Sequence, residues 1–153
     1  MSLVTRYSLL KIYNMKIHEI SPAKITIDDV KRIITEDYKL KLSEESIRRI
    51  NLCREYLDNK MKTQKEPIYG VTTGFGSLCN ISVGAEELSQ LQKNLVMSHS
   101  CGTGDEVDQE IVKLIVFLKI QSLQYGVSGV QLVTVQRLVD MYNEGVLPAV
   151  YQQ

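Results

Sequence analysis

The chain has no tryptophan, two phenylalanines, three prolines and three cysteines among its 153 residues, and 18 Lys and Arg balance 18 Asp and Glu. Each scarcity removes a class of protein. Cys53, Cys79 and Cys101 are odd in number, widely spaced and without a C-x-x-C pair, a pattern that fits neither a disulfide framework nor a zinc site. They read as reduced, mostly buried thiols of a cytoplasmic protein, with no metal expected. Zero net charge argues against a basic groove for nucleic acid and against a polybasic membrane patch. The longest apolar stretch, Ile111 to Ile120, is interrupted by Lys113 and Lys119 and is too short to cross a bilayer. The stretch from Tyr7 to Leu10 is broken by Lys11 and lacks a small-residue cleavage site, so no signal peptide is expected.

What is present is an ordinary globular composition, 44% hydrophobic and 24% charged. A chain of this mass can bury about two-thirds of its extended surface in one core. With no internal repeat or low-complexity linker, one compact unit is the default. The charge is uneven: residues 28–66 hold 19 charged side chains and residues 107–153 hold 7, which predicts a solvated first half and a covered second half. Residues 1–14 precede a natural-looking start at Met15 and read as an arm or appended segment, leaving 15–153 as the domain.

Helical signals dominate. Thr26 followed by Asp28 and Asp29 predicts a capped short helix carrying Val30, Ile33 and Ile34. Ser43 predicts the start of a second helix, with Leu42 and Ile47 as a hydrophobic staple. Its inward face would carry Ile47, Ile50, the Arg54 stem and Leu57. Residues 68–84, with Gly70, Gly74, Gly76 and Gly84, hold too many breakers for a helix and predict a long glycine-rich loop. From Glu86 the spacing of Leu88, Leu91 and Leu95 returns to helical period and places Ser98 and His99 on an inward stripe. Asp105 would open the next helix, which reads as apolar nearly all round through Ile111, Val112, Ile115, Val116 and Leu118 and closes at Gly126. Ser128 would cap a last helix ending near Asn143 and Gly145. The class is mainly α with little strand. Its apolar second half asks for more cover than two polar helices give.

Two features could carry chemistry. The loop YGVTTGFG, Tyr69 to Gly76, lets the backbone approach a ligand, yet it lacks the Gly-Lys-Ser/Thr of a phosphate loop and the spacing of a dinucleotide fingerprint. On its residues alone it is either a site or a structural turn. His99, beside Ser98, is either a ligand contact or a satisfied core histidine, and His18 is a weaker candidate.

Four ordered segments, YGVTTGFG from Tyr69, LQKNLVMSHSCGTGD from Leu91, QYGVSGV from Gln124 and NEGVLPAV from Asn143, make residues 15–153 strongly resemble the amino-terminal part of the aromatic amino acid ammonia-lyases. That resemblance implies a helical amino-terminal domain of the ammonia-lyase and fumarase-like fold. It implies a small-molecule amino acid substrate and a homotetramer in the complete enzyme. Tyr69 would be the catalytic acid/base on an active-site loop formed by Gly70, Thr73, Gly74, Phe75 and Gly76. A free phenol, with a pKa near 10, is a poor base at neutral pH unless the site stabilises phenolate. The Ser98–His99 pair would bind substrate and points to L-histidine, converted to urocanate. The alternatives are phenylalanine or tyrosine as substrate, or a non-catalytic helical assembly module. The family's electrophile, methylidene-imidazolone, forms from an Ala-Ser-Gly tripeptide that residues 1–153 lack. The resemblance therefore implies a fragment, cut before that segment, inactive by itself and holding no cofactor of its own.

Overall fold

The structure, a computed structural model, describes residues 15–63, 66–73, 84 and 87–153. The elements in order are β1 (Ile17–Ile20), α1 (Ile27–Thr35), β2 (Lys39–Leu42), α2 (Glu44–Thr63), α3 (Leu88–His99), α4 (Gln109–Leu123) and α5 (Leu132–Glu144). The chain divides into two units: the first takes residues up to Glu55 together with Val107–Ala149, the second Tyr56–Glu106 together with Val150–Gln153. No linker marks that division, because it falls inside α2, and the sequence alone suggested one unit.

In the first unit, β1 and β2 pair in parallel, from Ile17 opposite Lys39 to Ile20 opposite Leu42, with α1 as the crossover. Both strands escape the sequence reading: each has four residues, and alternation over so short a run is indistinguishable from a charged loop. Their inward residues Ile20, Leu40 and Leu42 join Ile33, Phe117, Ile120, Val135 and Val139 in the core. Thr26 caps α1 as its sequence predicts. Its Oγ1 accepts from Asp29 N at 3.2 Å, and its own N–H donates to Asp29 Oδ2 at 3.1 Å, a reciprocal pair contributing roughly 1 kcal/mol. Ser43 likewise opens α2, accepting from Ser46 N at 3.1 Å.

Three contacts from one segment, residues 124–129, dock α2. Gln124, fully buried just beyond α4, places its Oε1 2.8 Å from the Ser46 hydroxyl, which also lies 2.9 Å from the Ile20 carbonyl. Gly126, with φ +67°, lies so close to α2 that an added Cβ would stand 2.5 Å from the Arg49 carbonyl carbon and oxygen. Arg54 donates from Nη1 to the Gly129 carbonyl at 3.3 Å. On the other side, Asn143 reads the free edge of β2. Leu40 N–H donates to its Oδ1 at 2.7 Å, its Nδ2 donates to Leu40 O at 2.9 Å, and Lys39 Nζ donates to its carbonyl.

The two later helices start beyond the predicted caps. Asp108, not Asp105, caps α4 by accepting from Glu110 N at 2.7 Å, while the Asp105 carbonyl is taken by Gln152 N at 3.0 Å. Gln131, not Ser128, precedes α5, since the positive φ of Gly129 (+70°) and its bond to Arg54 keep the chain non-helical there. The expectation that α4 is buried all round also fails. Val112, Val116, Phe117 and Ile120 face inward, whereas Ile111, Ile115 and Leu118 are 52%, 47% and 47% exposed. The surrounding elements of this unit bury one side of α4 and leave the other half-exposed.

In the second unit, Glu106 pairs with Tyr151 in an antiparallel bridge, and Gln153 N–H donates to Thr103 O at 3.0 Å.

Gly126 and Gly145 have nearly the same left-handed φ, +67° and +69°, but only Gly126 meets backbone, and nothing lies within 4 Å of a Cβ at Gly145. Gly145→Ala should therefore cost about 1 kcal/mol from conformation alone, and Gly126→Ala at least about 2 kcal/mol more. Urea denaturation midpoints check the ordering; equal losses would contradict it.

Candidate active site

The second unit holds every described residue that the resemblance assigns to chemistry; the weaker candidate His18 lies in the first unit. Residues 68–73 form a tight turn: Val71 and Thr72 N–H donate to Ile68 O at 3.0 and 2.9 Å, and Ile68 N–H donates to Thr72 Oγ1 at 2.9 Å. Gly70 N–H reaches Thr73 Oγ1 at 3.3 Å, and Thr73 is fully buried. Gly70 has φ +67°, a conformation costly for other residues, and Tyr69 before it is 63% exposed. Gly74, Phe75 and Gly76 lie outside the described residues, as does most of the predicted glycine-rich loop.

The turn is tethered to α3. Gln92 Nε2 donates to Val71 O at 3.1 Å and to Gly70 O at 3.4 Å. Nothing in the composition singles Gln92 out; its role follows from the two carbonyls that the turn leaves open. Seven residues on, His99 lies within about 20° of Gln92 around the helix and about 10 Å along it. The Tyr69 turn and His99 therefore lie on one side of α3.

At the end of α3, Ser98 and His99 converge on one carbonyl. Ser98 Oγ donates to Leu95 O at 2.9 Å, and His99 Nδ1 is 2.8 Å from the same oxygen and 3.1 Å from Ser98 Oγ. A carbonyl only accepts, so Nδ1 carries a proton; in the neutral ring Nε2 is then an acceptor. The inward stripe expected for this pair is not realised among the described residues. Ser98 and His99 are exposed and no residue of α3 is buried, because helical spacing groups residues on a face without supplying the surface that covers it.

The remaining candidates serve structure. Burial holds the His18 imidazole below its usual range, with Arg32 acting the same way and the Asp29 and Glu19 carboxylates opposing it. The ring lies 6.2 Å from Phe117, in the first unit. Of the cysteines, Cys53 is half-buried and Cys101 is exposed, contrary to the expectation of mostly buried thiols, and Cys79 lies outside the described residues. Among the described residues, no cluster of His, Cys, Asp and Glu could hold a metal ion, and no helix is long and apolar enough to cross a membrane.

Comparison with known proteins shows the family and the fold. The family described as Aromatic amino acid lyase matches residues 25–153. The histidine ammonia-lyase of Streptococcus pyogenes serotype M3 (strain ATCC BAA-595 / MGAS315) is 39% identical over 124 residues, which are 81% of this chain and 24% of that protein. That of Caldanaerobacter subterraneus subsp. tengcongensis is 40% identical over 126 residues, 82% of this chain and 25% of that protein. Among solved structures, a tyrosine aminomutase from Streptomyces globisporus superposes with a TM-score of 0.80 at 32% identity, over 88% of this chain and 26% of that one. The histidine ammonia-lyase from Trypanosoma cruzi gives 0.77 at 28% identity, over 91% and 27%. The chain belongs to the aromatic amino acid lyase family, and its mainly α architecture is the ammonia-lyase fold. It spans about a quarter of the length of the curated relatives it matches.

Gln92→Ala should release the Tyr69 turn without unfolding the protein. Amide exchange of Val71 and Thr72 should then accelerate about tenfold or more, with rates in α4 unchanged. Unchanged exchange at Val71 and Thr72 would show that the turn does not depend on this tether.

Proposed function

We propose that this chain is the amino-terminal part of a histidine ammonia-lyase whose complete form removes ammonia from L-histidine to give urocanate. In this reading the C–N bond breaks, the β-carbon loses a proton, and the product gains a carbon–carbon double bond. Tyr69 is the acid/base. Ser98 and His99 recognise the substrate, and Gly70, Thr73, Gly74, Phe75 and Gly76 belong to the loop that closes over it.

The observation that carries the reading is the bonding of His99. With Nδ1 donating to Leu95 O, Nε2 of the neutral ring is an acceptor in kind, the chemistry that pairs with the N–H of a second imidazole. A phenyl ring has no such donor. Discrimination by a hydrogen bond of this kind far exceeds what shape alone gives. The tyrosine aminomutase neighbours favour a second reading, in which the phenol of tyrosine supplies the donor instead.

The electrophile of this chemistry does not fit the residues of this chain. Ala23, Ala85 and Ala149 are followed by Lys24, Glu86 and Val150, so no Ala-Ser-Gly is available to form methylidene-imidazolone. The chain alone is therefore inactive in this reading, and the complete enzyme is a cytoplasmic homotetramer carrying the electrophile elsewhere.

The test uses a full-length lyase in which this chain replaces the corresponding region of the Streptococcus pyogenes relative. Tyr69→Phe should lower kcat on histidine at least about 100-fold with the thermal midpoint unchanged. His99→Leu should lower kcat/KM for histidine relative to phenylalanine at least about 100-fold. Full turnover in the first variant, or an unchanged preference in the second, would contradict these assignments.

A further inference from the structure

Ile111, Ile115 and Leu118 follow the 4–3 spacing of a helix-packing seam, and Ser122 continues it by another step of four. All lie on the side of α4 turned away from the core; the three apolar side chains are about half exposed. The seam runs about 16 Å, three turns of helix. Beside it, Ile27, Val30 and Ile34 of α1 and Ile111 and Leu114 of α4 line a groove of about 370 Å³, with Ile27 87% exposed.

A seam on a helix offers no backbone donor or acceptor, since its peptide groups are bonded within the helix. Whatever covers it must satisfy its own backbone groups, which a helix does and an extended segment does not. The spacing suits a second helix crossing at about 20°. A second copy of this chain is a poor occupant: three half-exposed side chains per copy bury far less than the roughly 1,200 Å² of a specific dimer. The matched relatives, by contrast, have about three-quarters of their length outside the region shared with this chain.

We infer that the Ile111–Ile115–Leu118 face of α4 is the docking seam for an apolar helix from that remaining part of a full-length lyase. The groove beside it receives the helix's flanking side chains. This rests on the fragment reading above, and its test is read from accessibility rather than activity.

Ile115→Cys is made in the 153-residue chain and in the full-length chimera, and maleimide labelling at that position is followed by peptide mass spectrometry. The thiol should label readily in the isolated chain and at least about tenfold more slowly in the chimera. Ile115→Lys should leave the thermal midpoint of the isolated chain unchanged and lower that of the chimera by about 5 °C or more. Equal labelling rates in both would overturn the seam, as would an unmutated chimera that does not assemble. Protection that appears instead in the isolated chain as its concentration is raised would assign the face to self-association and overturn it as well. A chimera that assembles and protects Ile115→Cys but deaminates no aromatic amino acid would sink the functional reading and leave the seam standing.

Discussion

The first unit turns on one buried junction, where the Ser46 hydroxyl lies 2.9 Å from the Ile20 carbonyl at the end of β1 and 2.8 Å from Gln124 Oε1 at the end of α4. Ser46 and Gln124 are both fully buried, so neither can exchange its partner for water. A buried polar group left without a partner costs about 1–3 kcal/mol, which makes the junction selective for one arrangement. Ser43, 2.9 Å from the Ser46 hydroxyl, ties the start of α2 to the same point. Strand, helix start and helix end are fixed together, and Gly126 allows α2 to approach because a side chain there would collide with Arg49.

Two of the four segments that carry the family likeness therefore have a mechanical purpose. QYGVSGV supplies Gln124, Gly126 and Gly129, three separate contacts to α2, and NEGVLPAV supplies Asn143, whose amide takes the place of a third strand beside Leu40. The other two segments lie in the second unit: one presents Tyr69 on a glycine turn, and the other presents Ser98 and His99 at the end of a helix with no buried residue. Rigid support and the residues proposed for chemistry fall on different stretches of chain. That division suits a site completed by residues elsewhere.

What the sequence made legible was local. The caps at Thr26 and Ser43 each depend on a side chain and an N–H three residues apart, and both were readable in advance. The strands were not, because β1 is stabilised by a partner about 20 residues on and β2 by an amide 103 residues away. Asp105 and Ser128 were reasonable helix starts on composition. Each lost to a tertiary contact, Gln152 on the Asp105 carbonyl and Arg54 on the Gly129 carbonyl. For the candidate site, the resemblance named the residues, but their exposure was not legible: the leucine spacing of α3 groups Ser98 and His99 on a stripe, and no residue of α3 is buried.

The central claim is that the QYGVSGV segment holds the first unit together while the exposed Ser98 side chain contributes little to stability. The thermal midpoint of the 153-residue chain, compared between Gln124→Ala and Ser98→Ala, tests it most directly. The account predicts a loss of about 5 °C or more for Gln124→Ala, from the buried volume and the lost Ser46 contact, and a change within about 1 °C for Ser98→Ala. A Ser98→Ala variant that melts as early as Gln124→Ala, or a Gln124→Ala variant as stable as the parent, would contradict it.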